Sequence, residues 1–238
     1  MRIAVAGGTG VVGRHAVEAA RAAGHEVVVL SRSSGADVLT GAGLDERMQG
    51  ADAVIDVTNT TTLSAAKAVK FFETATRNLL AAESRAGVTH HVALSIVGID
   101  GIDASYYAGK LAQERAVAAG SVPFTIARAG QFHEFAGQLL SRMSGPVAVL
   151  PKLLMRPVAA REVGEHLVRV AEGAPAGRAS DLVGPRNEVL ADVARRQLAF
   201  DGVRRRVLGV RLPGAYGRGL ASGSRTCLLY TSPSPRDL

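Results

Sequence analysis

A chain of 238 residues, 47% of them apolar, is long enough for one α/β domain with a full core and a small appended lobe, and it contains no apolar run of membrane-spanning length. The single cysteine, Cys227, excludes disulfide frameworks and thiolate catalysis from the main body. The net charge of +7 comes from arginines scattered along the chain; only Arg204, Arg205 and Arg206 are dense, and without a recognition helix or aromatic platform nucleic acid is not an expected partner.

The first residues, "MRIAVAGG", lack the basic, apolar and small-residue blocks of a signal peptide, so a cytoplasmic, non-membrane protein is expected. "RIAVAG" (2–7) reads as a buried strand. A glycine turn follows, then a helix from Val12 to Ala23 that Gly24 stops. "EVVVLSR" (26–32) is the second strand, "ADVL" (36–39) a short third and "ADAVIDVTN" (51–59) a fourth. A long helix from Leu63 to Ala86 comes next. "THHVALSIVG" (89–98) is the fifth strand, leading to a helix that carries "SYYAGKLAQE" (105–114), and "PFTIARA" (123–129) is the sixth. Beyond Gly130 the pattern loosens. One amphipathic helix is expected at Arg161 to Glu172, a short strand at "DLVGP" (181–185) and a helix at 190–202.

Continuous apolar strands imply a sheet covered on both faces, and strand-helix alternation implies parallel order. The expected fold class is therefore α/β, a doubly wound parallel sheet with a small C-terminal substrate lobe. The expected organisation is a nucleotide-binding domain over 1–130, a lobe over 131–222 and a non-native tail over 223–238. The segment "SGSRTCLLYTSPSPRDL" breaks the pattern and resembles translated sequencing-adapter sequence.

In such a fold, ligands bind beyond the carboxyl ends of the strands. "AGGTGVVGRHAVEAA" places Gly7-x-x-Gly10-x-x-Gly13 between a strand and a helix. Gly7 allows the tight exit, Gly10 lets a pyrophosphate approach the backbone, and Gly13 lets the helix pack on the sheet. With Thr9, Val11 and Val12 they form the expected phosphate cradle at a helix N-terminus. The second strand ends in Ser31, Arg32 and Ser33, where an NAD-selective site would carry an acidic residue. A guanidinium flanked by hydroxyls suits a 2′-phosphate, so NADP(H) is the expected cofactor ahead of NAD(H). His90 and His91 have no Cys or carboxylate cluster beside them in the sequence. They read as a surface pair, and no metal site is expected.

With "GGTGVVG", "DVLTGAGL", "GADAVIDVTN", "HHVALSIVG", "YYAGKLAQE" and "FTIARAGQFHEF" in this order, the chain resembles the short-chain dehydrogenase/reductase superfamily, Rossmann-fold proteins. Its nearest resemblance is to the atypical, NmrA-like NAD(P)H-binding branch, over Met1 to about Gly219. The resemblance implies that Asp37 and Val38 flank the adenine and that Thr58 and Asn59 lie against the cofactor. It also implies that Ser95, Tyr106 and Lys110 form a catalytic set. In that reading Lys110 holds the nicotinamide ribose and, four residues along the same helix face, favours the phenolate of Tyr106. Tyr106 then donates a proton to a carbonyl oxygen that Ser95 hydrogen-bonds. Tyr107 points about 100° away around the helix and takes a packing or substrate-facing place. Gln131, Phe132 and His133 are expected on the substrate side.

The expected function is NADP(H)-dependent reduction of a small carbonyl or quinone-like compound. The alternative is a non-catalytic NADP(H)-binding redox sensor with a protein partner. Epimerase or dehydratase chemistry on a nucleotide sugar ranks last, because it is expected to need a larger C-terminal domain.

Overall fold

A computed structural model of the chain describes residues 1–100 and 102–211. In chain order its elements begin with β1 (Arg2–Ala6), α1 (Val11–Ala22), β2 (Glu26–Leu30), α2 (Leu44–Met48) and β3 (Ala53–Asp56). They continue with α3 (Ala65–Ala86), β4 (His90–Ile96), α4 (Ser105–Ala118), β5 (Phe124–Ala129) and α5 (Glu134–Ser141). The remainder are β6 (Val147–Pro151), β7 (Leu154–Met155), α6 (Ala160–Glu172), β8 (Gly177–Arg178), β9 (Glu188–Val189), α7 (Leu190–Phe200) and β10 (Arg206–Val210). No helix among the described residues is long and apolar enough to cross a membrane. The expected tail over 223–238, with Cys227, lies outside the described residues.

The chain divides into two compact units. Among the described residues, the first comprises Met1–Arg128 and Arg161–Ser180; the second comprises Ala129–Ala160 and the residues from Asp181 onward. The sequence pattern assigns the whole of 131–222 to one lobe, but 161–180 joins the first unit. Long-range contacts that leave no local signature bring it there. The His25 ring meets Glu172 at 2.8 Å, the Ala176 amide donates to Thr125 Oγ1 at 3.0 Å, and β8 adds to β5 in parallel register.

The first unit holds a six-stranded sheet in the order β2-β1-β3-β4-β5-β8. β1 pairs in parallel with β2 on one side and β3 on the other, and β3 pairs in parallel with β4. Ile3, Ala4, Val5 and Ala6 are all fully buried, as are Ala53, Val54 and Ile55. Successive strand residues face opposite ways, so this pattern requires cover on both faces. The doubly wound parallel sheet read from the sequence is the fold of this unit.

"ADVL" is not a strand. Asp37 Oδ1 accepts from the amides of Leu39 (2.7 Å) and Thr40 (3.3 Å), and Asn78 Nδ2 on α3 donates to the carbonyls of Val38 and Leu39, both at 2.9 Å. An aspartate that caps its own succeeding amides makes a turn, and β2 is left as the outer strand of the sheet. Asp37 and Val38 therefore sit on a pinned turn rather than at a strand end.

The second unit packs its own core from Leu140, Leu150, Met155, Leu190, Val193, Leu198 and Val207, with α7 against the parallel β6–β10 pair and α5 against α7. β7 and β9 pair antiparallel. "DLVGP" contributes only a single bridge, from Leu182 to Ala129.

Candidate functional site

The chain order puts β1 between β2 and β3, so the crevice beyond its carboxyl end opens where the strand order reverses. Gly7 leaves β1 at φ +81, and a Cβ there would lie 2.9 Å from the Val57 carbonyl oxygen. Only glycine gives both the left-handed backbone and the close pass of this turn beside the β3 exit. The Gly10 amide donates to the Gly7 carbonyl at 2.9 Å, which closes the turn. A Cβ on Gly13 would sit 2.2 Å from the same oxygen, so α1 can start where it does only with glycine there. Thr9 and Gly10 are exposed and Val12 is buried, and no side chain caps the N-terminus of α1, so its first-turn amides start from an exposed turn.

At the end of β2, Ser31 caps a short 3-10 turn over Arg32–Ser34. Ser34 hydroxyl donates to the Val29 carbonyl at 2.7 Å and anchors the turn, a role the sequence did not single out. Ser31 and Ser33 hydroxyls meet at 2.9 Å, and Arg32 is exposed between them.

Beyond β3, Thr58 is buried and its Oγ1 has no hydrogen-bond partner; Ser95, 2% exposed on β4, has an Oγ in the same condition. Buried hydroxyls without partners are uncommon and point to a missing polar group. Asn59 is exposed, and its Oδ1 accepts from the Thr60 amide (2.8 Å) and from the Tyr106 hydroxyl (2.7 Å).

Tyr106 and Lys110 share α4, as the spacing requires, but their polar ends have other partners. The Lys110 ammonium donates to the Leu94 carbonyl at 2.6 Å and to Gln113 Oε1, and it lies 4.6 Å from the centroid of the Phe72 ring. Burial pulls its pKa down to about 8, against the raising influence of Asp56 and Glu114. Tyr106 moves the other way from the expected phenolate. Burial first, then Tyr107 and Asp56, push the phenol well above its usual value, so it stays protonated at neutral pH. Tyr107 stacks edge-on with it at 6.0 Å between ring centroids. The phenolate expected at Tyr106 is therefore not favoured in this arrangement: Lys110 bonds to Leu94 and Gln113, and the Tyr106 hydroxyl donates to Asn59.

Two further sets of buried charge escaped the sequence reading. His90 and His91 are not a surface pair: they are 3% and 0% exposed. Neighbours on a strand face opposite ways, and here both faces are covered. His90 Nε2 meets Thr125 Oγ1 at 2.8 Å, and burial lowers its pKa. His91 Nδ1 meets both oxygens of Glu83, itself fully buried, at 2.8 and 2.9 Å. Burial opposes the imidazolium, but Glu83 and more weakly Asp56 overcome it and raise the His91 pKa. Arg128 at the end of β5 is 3% exposed and forks onto Asp100 and Glu114 at 2.5–2.8 Å. It ties the loop after β4 to α4.

Gln131, Phe132 and His133 belong to the second unit. There Phe132 bridges Val158, the Gln131 carbonyl accepts from the Val158 amide at 3.0 Å, and the His133 amide donates to the Val158 carbonyl at 3.1 Å. Gln131 and Phe132 are half-buried and His133 is exposed.

Lys110 gives a pH test of this electrostatic picture. Its folded pKa of about 8 lies below the ordinary 10.5, so the unfolded chain binds more protons between those values and stability rises with pH there. Below about 8 the buried charge costs stability. Denaturant titrations from pH 7 to pH 10 should show the wild type gaining about 2.5 kcal/mol relative to Lys110→Met.

No curated protein matches the sequence. Among solved structures, a nucleoside-diphosphate-sugar epimerase from Pseudomonas aeruginosa superposes with a TM-score of 0.72 at 21% identity, covering 100% of this chain and 94% of that one. Triphenylmethane reductase from Citrobacter sp., complexed with NADP(H), gives 0.71 at 15% identity over 98% and 93% of the two chains. The NADPH-dependent quinone oxidoreductase of Escherichia coli, complexed with NADPH, gives 0.66 at 18% over 93% and 87%. Residues 3–117, the segment that carries the glycine turn, Ser95, Tyr106 and Lys110, match the family model of the NAD dependent epimerase/dehydratase family.

Proposed function

We propose that the chain binds NADP(H) and uses it to reduce a small carbonyl or quinone-like compound. The observation that carries the reading is the glycine cradle at the reversal of strand order. Gly7 and Gly13 leave no room for a Cβ, and orphaned hydroxyls on Thr58 and Ser95 lie on the neighbouring strands and their exits. These residues fit a nicotinamide dinucleotide. The first-turn amides of α1 would take the pyrophosphate, Arg32 with Ser31 and Ser33 the 2′-phosphate, and Lys110 the nicotinamide ribose. Bound NADPH would supply the hydride. Ser95 would orient the acceptor oxygen, and Tyr106, held neutral by burial, would donate the proton to it. The matched family description supports a nicotinamide dinucleotide as the ligand, and the cofactors named for the Citrobacter and Escherichia coli structures favour NADP(H).

A redox-sensing role has an observation of its own. The Tyr106 hydroxyl is engaged by Asn59 and the Lys110 ammonium by Leu94 and Gln113 rather than by each other, as a protein that binds the dinucleotide without turning it over would allow. NADPH oxidation against a panel of carbonyls and quinones, with fluorescence titration of NADPH and NADP⁺, separates the two. Substrate-dependent oxidation supports the reductase. Binding without oxidation, with clearly different affinities for the two redox forms, supports the sensor. Failure to bind either form removes both.

Cofactor preference depends on Arg32. Arg32→Asp should weaken NADPH by ~10–100-fold relative to NADH, the loss of a charge-assisted contact. An unchanged ratio in titrations of the two dinucleotides would remove Arg32 from the 2′-phosphate site.

A further inference from the structure

We propose that Gln113 and Asp56 are positioning residues for Lys110, joined in a buried bridge that fixes the ammonium at the end of β4 and keeps it charged. The bridge is continuous. Lys110 Nζ donates to Gln113 Oε1, Gln113 Nε2 donates to Asp56 Oδ2 at 2.7 Å, and Asp56 Oδ1 accepts from the Thr58 amide at 2.9 Å. Lys110, Gln113 and Asp56 are 3%, 1% and 0% exposed. A buried ammonium needs acceptors, and a buried carboxylate needs donors. One amide in one orientation serves both, with its oxygen toward the cation and its nitrogen toward the anion.

The groups that face Lys110 come from every side. β3 supplies Asp56, β4 the Leu94 carbonyl, α3 the Phe72 ring, and α4 itself Gln113 and Glu114. Two of them, Asp56 and Glu114, oppose the burial that pulls the ammonium towards its neutral form. Asp56 also holds the Thr58 amide at the β3 exit, beside which Gly7 passes. The bridge thus ties the position of Lys110 to the backbone of the proposed crevice. Its consequence for cofactor binding rests on the reading that Lys110 holds the ribose; the bridge itself does not.

The chain has four lysines, Lys67, Lys70, Lys110 and Lys152, so the Lys110 side chain can be tracked by NMR of 13C-labelled lysine and assigned by its loss in Lys110→Met. In Gln113→Leu, the Lys110 titration midpoint should fall by about one pH unit or more, because an acceptor of the charged form is gone. Asp56→Asn keeps shape and volume but sets an NH2 against Gln113 Nε2. The Gln113 amide must then turn and present its own NH2 to the ammonium, so the midpoint should fall at least as far. If Gln113→Leu does not fold, the isosteric Asp56→Asn carries the test. A merely structural pair would change stability and leave the midpoint in place, and an unchanged midpoint in a folded variant overturns the proposal. In parallel, the pH at which NADPH affinity declines should move down with the Lys110 midpoint. If the wild type does not bind NADPH at all, the cofactor reading fails, and the NMR midpoints still decide the bridge.

Discussion

Replacing Tyr106 by phenylalanine is expected to slow turnover by ~10²–10⁴-fold, the usual worth of a positioned general acid, and to leave NADPH affinity nearly unchanged. The reason lies in what the substitution keeps. The ring packs edge-on against Phe72 at 5.6 Å and Tyr107 at 6.0 Å between centroids, and both contacts survive the loss of the hydroxyl. Asn59 Oδ1 loses one donor but keeps the Thr60 amide. Lys110 makes its bonds to Leu94 and Gln113 without the phenol, so the proposed ribose contact is untouched. The change therefore falls on the proton alone. Steady-state NADPH oxidation with the best substrate of the panel, alongside fluorescence titration of NADPH, reads the two effects separately. Turnover equal to that of the wild type would place the acid elsewhere.

A second substitution should act on the fold rather than on the reaction. Glu83→Ala is expected to destabilise the protein by about 3–5 kcal/mol, because it strips the partner from a fully buried histidine. His91 Nε2 already has no partner, so Glu83 carries the whole polar satisfaction of that ring. The raised His91 pKa sets the sign of the pH dependence. The ion pair contributes its full stabilisation below the ordinary histidine value of about 6.5, and that contribution is lost as pH rises through the higher folded value. The gap between wild type and Glu83→Ala in urea unfolding should therefore be widest at acidic pH and narrow in alkali. A variant as stable as the parent at pH 6 would show the pair to be dispensable.

The strands of the first unit were legible because they are apolar on consecutive positions, and the glycine turn because its spacing sits between a strand and a helix. A strand covered on both faces has no outward side, so His90 and His91 within "HHVALSIVG" had to be buried, each with a partner. Asp56 carried the same signal as the one charge in "AVID". No local pattern supplies the identity of the partner: Glu83 is eight residues from His91 along the chain, and Gln113 is fifty-seven from Asp56. "ADVL" misled for a different reason. A short apolar run reads as a strand until its aspartate is seen to bond the amides just after it. Of the candidate site, the spacing placed Tyr106 and Lys110 on one helix but could not say which acceptors a buried ammonium would find.

The return of 161–180 to the first unit bears on how this chain acquires its fold as it is made. β8 completes the six-stranded sheet and α6 belongs to the same unit, yet a ribosome delivers them only after α5, β6 and β7, which belong to the other unit. The sheet thus waits, with its β5 edge open, until the intervening segment has emerged, and an exposed parallel edge is a template for pairing with other chains. Cutting the gene after the sixth apolar run would make that interval permanent. The half of the protein that looks in sequence like a portable cofactor module is, in space, sewn to residues made long after its last long strand.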